Sequence, residues 1–377
     1  MLLTNAFMPD PRPHREALSL IKAGYEVSVI CWDRGEDLPE KEIIDGIRVE
    51  RILIRSKDNK VVSYAFVLAL VWARMLARLI KERPDMIWCH DFDTLPVGLM
   101  SRGLKGNSVM FDSHEVYSKM LYGNVPGWLK KFVEFLERVL IKRADGVIVT
   151  CSAMEDLYSS LGARKITVVG NYKDPALFRI PGEVLEKERR ALGIKNELVI
   201  CYIAKLGRER IIEPLLEVVG EDDGTFLILG GDGYQRPIAE IAARNYPRVK
   251  YLGYVAADKV PLYTALADVV YYGYDKNSGM AEYCNPNKLF EALAAGKAFI
   301  GGDFGQMGKI IKEEGCGMAL GEFDKESVKK AVGIMKDRNA LQAFKDNARR
   351  AGLEKYTWSK AEEGLLKAVS QIAEKHQ

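Results

Sequence analysis

Residues able to do chemistry gather at the ends of short apolar runs in this sequence of 377 residues. His90 and Asp91 close "DMIWCHD", and Asp112, His114 and Glu115 close "VMFDSHE". Lys205, Arg208 and Arg210 follow "CYIA", while Gly230, Gly231 and Gly233 follow "FLIL". The stretch "NPNKLFEALAAGKAFIGG" begins at Asn285 and reads as a helix. Asn285 can cap it, Pro286 suits its first position, and Gly296 fits just past its end. A helix start offers backbone N–H groups and the positive end of the helix dipole, which suit a phosphate. Lys288 in the first turn opposes that dipole unless an anion lies opposite it. Glu291, one turn deeper, could accept from the paired hydroxyls of a ribose. Lys205 and Arg210 add two cations suited to a diphosphate, and the glycines permit close backbone approach.

Each of these features also has a plain reading. Lys288 and Glu291 stand at i,i+3 and could be a surface ion pair. The three basic residues at 205–210 could be a solvated turn, the glycines a tight strand-to-helix turn, and His90 and His114 satisfied polar residues. The argument for function is their shared position. Three of the four histidines have no second histidine nearby and the carboxylates do not cluster, so no metal site is expected.

The elements that must carry these residues are legible at coarse scale. Apolar runs "EVSVIC", "DMIWCH", "SVMFD" and "GVIVTC" alternate with helical segments early in the chain. "LVICYIA", "TFLILGG", "VKYLGY" and "DVVYYGY" do the same later. Such alternation predicts an α/β chain of two doubly wound parallel sheets, each covered on both faces. In those sheets, function gathers at the carboxyl ends of strands. The alternation weakens around residues 170–197, which places a hinge near 171–182 and domains at 1–172 and 173–356. The tail, about 357–377, reads as one amphipathic helix that returns to the first domain.

Composition sets the bounds. An apolar fraction of 48% and a net charge of +3 describe a globular chain with no electrostatic case for nucleic acid. Six cysteines lie mostly in or beside apolar runs without metal spacing, as expected of buried thiols in a reducing cytoplasm. No signal peptide is expected. The longest apolar run, residues 61–80, is interrupted by Arg74 and Arg78 and predicts a buried or amphipathic helix rather than a membrane span. Residues 127–146 form an amphipathic pattern, with Trp128, Phe132, Phe135, Leu136 and Val139 against Lys130, Lys131, Arg138, Lys142 and Arg143. It reads either as a core-packing helix with a solvated basic side or as a membrane-surface face.

The stretch from Asn285 through "DFGQMGKII" resembles the signature region of retaining glycosyltransferases of family 4, which have the GT-B fold. "DPRPHREALSLIKAGYEVSVIC", "CHDFDTLPVGL", "FDSHEVY" and "DGVIVTCSAMEDLY" are similar to its N-terminal landmarks; "YIAKLGRER", "LILGGDG", "VKYLGYV" and "YTWSKAEEGL" follow in the expected order. The resemblance implies two Rossmann-like domains facing a central cleft, an acceptor-binding one first and a nucleotide-sugar-binding one second. Lys205 and Arg210 match the Arg-x4-Lys pair on the donor diphosphate, with the types exchanged. Glu291 matches the second glutamate of the E-x7-E motif, on the donor ribose. The first should stand at position 283, which is Tyr, with Glu282 one residue away. His114 matches the histidine near acceptor and donor sugar, and the backbone of Tyr254 and Val255 faces the base.

The catalytic set is thus His114, Lys205 and Arg210. The donor set is Gly231, Tyr254, Val255, Asn285, Asn287, Lys288, Leu289 and Glu291, and the acceptor side holds His90, Asp91 and Glu115. The family's N-terminal Gly-rich loop is replaced by "FMPDPR". The implied reaction moves a sugar from a UDP-, GDP- or ADP-sugar to an acceptor hydroxyl on a sugar or lipid-linked acceptor, with retention and without a metal or other cofactor. The expected place is cytoplasmic, with residues 127–146 as the candidate contact to the inner membrane face. A nucleotide-sugar epimerase and a non-catalytic nucleotide-sugar-binding homologue are the rival readings.

Overall fold

Val-, Ile- and Leu-rich runs such as residues 198–203 and 225–230 become strands buried along their whole length, as both faces of a parallel sheet require. The computed structural model describes residues 1–7, 11–56, 61–121 and 125–373, with only the backbone of 61–63. Residues 8–10 of the "FMPDPR" stretch and residues 374–377 of the tail lie outside the described residues. The chain divides into two compact units: Met1–Gly170 together with the chain from Ala361 onward, and Asn171–Lys360.

The first unit holds β1 (Leu2–Leu3), β2 (Ser28–Asp33), β3 (Lys41–Ile44), β4 (Ile47–Leu53), β5 (Met86–His90), β6 (Ser108–Ser113), β7 (Gly146–Val149) and β8 (Ile166–Val168). Their order is β3-β4-β2-β1-β5-β6-β7-β8. Every pairing is parallel except β3 with β4. That antiparallel pair turns on Asp45 and Gly46, both at positive φ (49° and 85°), a combination the tight turn of a two-residue hairpin demands. The sequence reading did not include this hairpin. Strand order reverses between β1 and β5, so the crevice of this sheet opens where Thr4 and His90–Asp93 follow those strands.

Helix Val61–Glu82 is amphipathic: Val71, Met75 and Leu79 are buried while Phe66 and Leu70 are exposed. Among the described residues no helix is long and apolar enough to cross a membrane. Helix Gly127–Ile141 departs from the core-packing reading. It turns Glu137 and Ile141 inward and leaves Trp128, Phe132 and Phe135 at 71%, 51% and 59% exposure. Helix Trp358–Ala373 buries Ala361, Leu365, Ala368, Val369 and Ile372, and the Lys165 ammonium donates to Gln371 O at 2.8 Å.

The second unit holds β9 (Leu198–Ile203), β10 (Thr225–Gly230), β11 (Val249–Tyr251), β12 (Val269–Tyr271), β13 (Ala298–Gly302) and β14 (Gly317–Leu320). They are ordered β11-β10-β9-β12-β13-β14, all parallel. Alternation along β9 and β10 divides the core between the two faces. Leu198, Ile200, Tyr202, Leu227 and Leu229 join one cluster; Val199, Cys201, Ile203, Phe226 and Ile228 join another. Here the order reverses between β9 and β12. The turn bearing Lys205 and Arg210 and the loop leading to Asn287 therefore leave neighbouring strand ends. All six cysteines are buried thiols.

Candidate functional site

In the first unit the site residues meet because β5 and β6 pair in register, His90 beside Asp112. His90 Nδ1 lies 3.2 Å from both Asp112 Oδ2 and His114 Nε2, and His114 Nε2 lies 3.2 Å from the same Asp112 oxygen. The other Asp112 oxygen accepts from Arg12 at 2.9 Å. Glu16, one turn along helix Pro11–Lys22, stands 3.0 Å from Arg12 Nε and competes with Asp112 for the same cation. Asp91 closes the far side: Oδ1 accepts from the His114 backbone N–H at 3.2 Å, and Oδ2 lies 3.6 Å from Nδ1. Asp91 adopts φ 62°, a left-handed conformation that few residues but Asn, Asp and Gly tolerate. Glu115 is exposed, and its backbone carbonyl accepts from the Ser113 hydroxyl.

The charges follow from burial and partners. Burial alone would lower the His114 imidazole, but Asp91 and Asp112 outweigh it and raise it to about 10. Burial disfavours the Asp112 carboxylate, yet Arg12, His114 and His90 hold it well below the usual range. Burial and the Asp112 charge push the Glu16 carboxyl well above its ordinary value against the pull of Arg12. His114 is therefore an imidazolium at neutral pH, a donor and fixed cation rather than a base.

Two histidines that the sequence keeps apart meet here. Among the described residues, His90, Asp112 and His114 have spacing that could hold a metal ion. The two histidines are 24 positions apart, so sequence proximity concealed them. Metal ligation needs neutral imidazole, whereas the Asp91–Asp112 pair favours protonated His114; Arg12 sits on the Asp112 oxygen that faces away from the two histidines.

In the second unit, Arg210 is held by aromatic rings. Its guanidinium lies 4.7 Å from the centroids of Tyr272 and Tyr274 and donates to the Tyr272 hydroxyl. The Gln235 amide fixes the turn, donating to Gly207 O at 2.5 Å and Arg210 O at 2.6 Å. Lys205 is exposed at the end of β9, and Arg208 stacks on Tyr234 at 4.3 Å. Gly231 and Gly233 approach the chain's own backbone: a Cβ on Gly231 would sit 1.9 Å from Ala204 O, at φ 135°. Tyr254 is 70% exposed and Val255 half-buried against the β9–β10 face.

The helix of the signature stretch runs Asn287–Ala295, one residue later than the cap assignment. Pro286, extended at ψ 138°, holds the N-cap position and no side chain caps the helix; Asn285 precedes it, its carbonyl accepting from Asn171. Gly296 ends it in left-handed conformation. Glu291 is buried, with Lys288 Nζ at 2.5 Å from Oε2. Lys173 Nζ lies 3.9 Å from Oε1 and donates to Asn287 Oδ1 at 2.6 Å. Leu289 is fully buried, so its part in any donor site falls to its backbone. At the position of the missing motif glutamate, Tyr283 is buried and Glu282 exposed.

Sequence reasoning missed Arg12, Glu16, Lys173, Tyr272 and Tyr274. Arg12 and Glu16 show only the i,i+4 spacing of an ordinary helical pair, and Lys173 sits in a stretch read as a hinge. The "YYGY" run that begins on the last residue of β12 was a signal, an aromatic cluster at a crevice-facing strand end.

Residues 11–172 match the family described as the glycosyl transferase 4-like domain, and residues 185–351 match glycosyl transferases group 1. The chain belongs to the glycosyltransferases. It is 25% identical over 324 residues, 80% of this chain and 79% of the relative, to TuaH of Bacillus subtilis (strain 168), which is assigned to teichuronic acid biosynthesis as a glycosyltransferase. Its fold is that of solved structures at lower identity. Sucrose-phosphate synthase from Thermosynechococcus elongatus superposes with TM-score 0.82 at 16% identity, covering 98% of each chain. Anabaena Alr3699/HepE in complex with UDP-glucose gives 0.74 at 17%, also covering 98% of each. WaaG, a glycosyltransferase of lipopolysaccharide biosynthesis, gives 0.66 at 15%, covering 97% of this chain and 98% of that one. The two Rossmann-like units are therefore those of a GT-B glycosyltransferase.

Proposed function

We propose that this glycosyltransferase transfers a sugar, with retention and without a metal, from a nucleoside-diphosphate sugar to a hydroxyl of a sugar or lipid-linked acceptor. The observation that carries the reading is the buried Glu291, one turn into an uncapped helix that shares a core cluster with Tyr272 and Tyr274, the rings that hold Arg210. A carboxylate suits a ribose diol, and cations with backbone N–H groups suit the diphosphate that gains charge as the glycosidic bond breaks. The binding of UDP-glucose by the Anabaena neighbour supports this class of donor.

Metal independence is supported by those fixed cations, which perform the charge neutralisation otherwise asked of a divalent ion, and by the ion-paired state of the His90–Asp112–His114 cluster. In the first unit, His114 as an imidazolium would stabilise the transferring sugar or an acceptor oxygen by donation, with Asp91, Asp112 and His90 holding its ring. The enzyme would work in the cytoplasm, with the exposed aromatic face of helix Gly127–Ile141 and its lysines on the inner membrane surface.

The test is incubation with UDP-, GDP- and ADP-sugars, with and without candidate acceptors, in chelator. Nucleotide release that depends on acceptor and survives chelation is expected, and the product linkage by NMR should keep the donor's anomeric configuration. Isomerised donor without acceptor would favour the epimerase, and binding without turnover the non-catalytic homologue.

A further inference from the structure

Two ammonium groups converge on one buried carboxylate in the second unit. Lys288 Nζ occupies Oε2 of Glu291 at 2.5 Å, and Lys173 Nζ approaches Oε1 at 3.9 Å. The two lysines are held differently. Lys173 is anchored: its carbonyl accepts from Trp358 N at 3.1 Å, its backbone bridges Thr357, and its Nζ donates to Asn287 Oδ1 at 2.6 Å. Only 7% of it is exposed. Lys288 rides the first turn of its own helix on a flexible stem, and its ammonium faces solvent more than that of Lys173, 16% against 9% for the side chains.

A ribose diol and the Lys288 ammonium both need the Oε2 lone pairs of Glu291, and both bring only donors to them. Lys288 already holds one of the two lone pairs of Oε2, so a diol binding at this oxygen competes with the ammonium for room and for acceptor density. Yet the same nucleotide that brings the diol brings a diphosphate, a stronger partner for a lysine than one carboxylate oxygen. Lys288, released at the helix start, has that anion within reach of its own turn.

We infer that donor binding exchanges Lys288 from Glu291 to the donor's diphosphate, the ribose hydroxyls taking the vacated oxygen while Lys173 and Asn287 keep the carboxylate and helix start in place. This rests on the reading of the second unit as the nucleotide-binding half. Lys288 then acts as a gate on what may enter. A nucleoside must break the ion pair and offers it no new anion, whereas a nucleoside diphosphate replaces what it displaces. Selectivity for the diphosphate over the bare nucleoside arises from this competition as well as from direct phosphate contact.

The experiment is calorimetric titration of the full chain with three ligand pairs: uridine and UDP, guanosine and GDP, adenosine and ADP. Wild type is compared with Lys288→Met and Lys173→Met; Lys288→Gln serves should the methionine variant unfold. For the preferred base, removing the Lys288 charge should tighten the nucleoside by a few-fold while weakening the diphosphate by about tenfold or more. Lys173→Met should weaken both by about tenfold, since it loosens Glu291 itself. Opposite signs for the two ligands are the signature of exchange. Loss of nucleoside and diphosphate affinity together in the Lys288 variants, or no change in either, overturns it. Absence of binding by wild type to all six ligands overturns the donor-half reading instead.

Discussion

Arg210 and Lys205 are both cations assigned to the donor diphosphate, but their packing separates the consequences of losing them. Arg210 lies against Tyr272 and Tyr274, whereas Lys205 is exposed. Removing one electrostatic contact to a leaving group costs roughly 2.7–4 kcal/mol of barrier, about two or more orders of magnitude in rate. Alanine at either position should therefore lower turnover about a hundredfold in steady-state assays. Only Arg210→Ala should also lower Tm, because two stacked tyrosines lose the cation packed against them. Wild-type turnover in either variant removes that residue from the reaction. His114 provides a pH signature. Its folded value near 10 lies above the ordinary imidazole value of about 6.5, so its ion pairs contribute fully below that lower pH. The contribution fades as pH rises through about 10. The Tm deficit of His114→Asn should thus be largest near pH 6 and shrink toward pH 10.5; a deficit constant with pH would contradict the ion-pair account.

Elements decide where these side chains point. The turn after β10 passes so close to residues 204–206 that glycine is required: Gly231→Ala would place a methyl 1.9 Å from Ala204 O in a left-handed conformation. We expect about 3 kcal/mol of destabilisation, read as a lower midpoint in urea unfolding, with donor binding lost in parallel. An unchanged midpoint would mean that this turn is free to move. The central strands β5, β6, β9 and β10 were legible because strands buried on two faces are nearly unbroken apolar runs, as "FLILG" and "LVICYI" are, whereas the short strands β8 and β14 were not read. The hairpin Lys41–Leu53 was not read, although "IIDGIRV" carries the Asp-Gly signal, because its strand β3 alternates exposed and half-buried residues. The start of helix Asn287–Ala295 was misplaced by one residue: Asn285 has the chemistry of a cap, but the chain enters through an extended Pro286.

At the scale of the whole molecule, the exposed face of helix Gly127–Ile141 asks for an explanation. Trp128, Phe132 and Phe135 are open, with Lys131, Arg138 and Lys142 also exposed nearby. Single exposed apolar residues are ordinary; three aromatics on one basic helix suit an anionic lipid surface. Flotation with liposomes should carry the protein upward when anionic lipid is present, and Trp128→Ser with Phe132→Ser should abolish this without changing Tm. Failure to float on anionic vesicles would end the membrane assignment. The sequence by itself determined that there are two α/β halves, that the candidate site residues follow strand ends, and that the family is one of glycosyltransferases. Those are properties of local periodicity and ordered motifs, which survive without knowledge of what touches what. Only the tertiary structure decided that His90 and His114 share Asp112, that Arg12 and Glu16 lie beneath them, and that Lys173 stands beside Glu291. Strand register and burial bring such residues together and set their charge, and neither is encoded in the spacing along the chain.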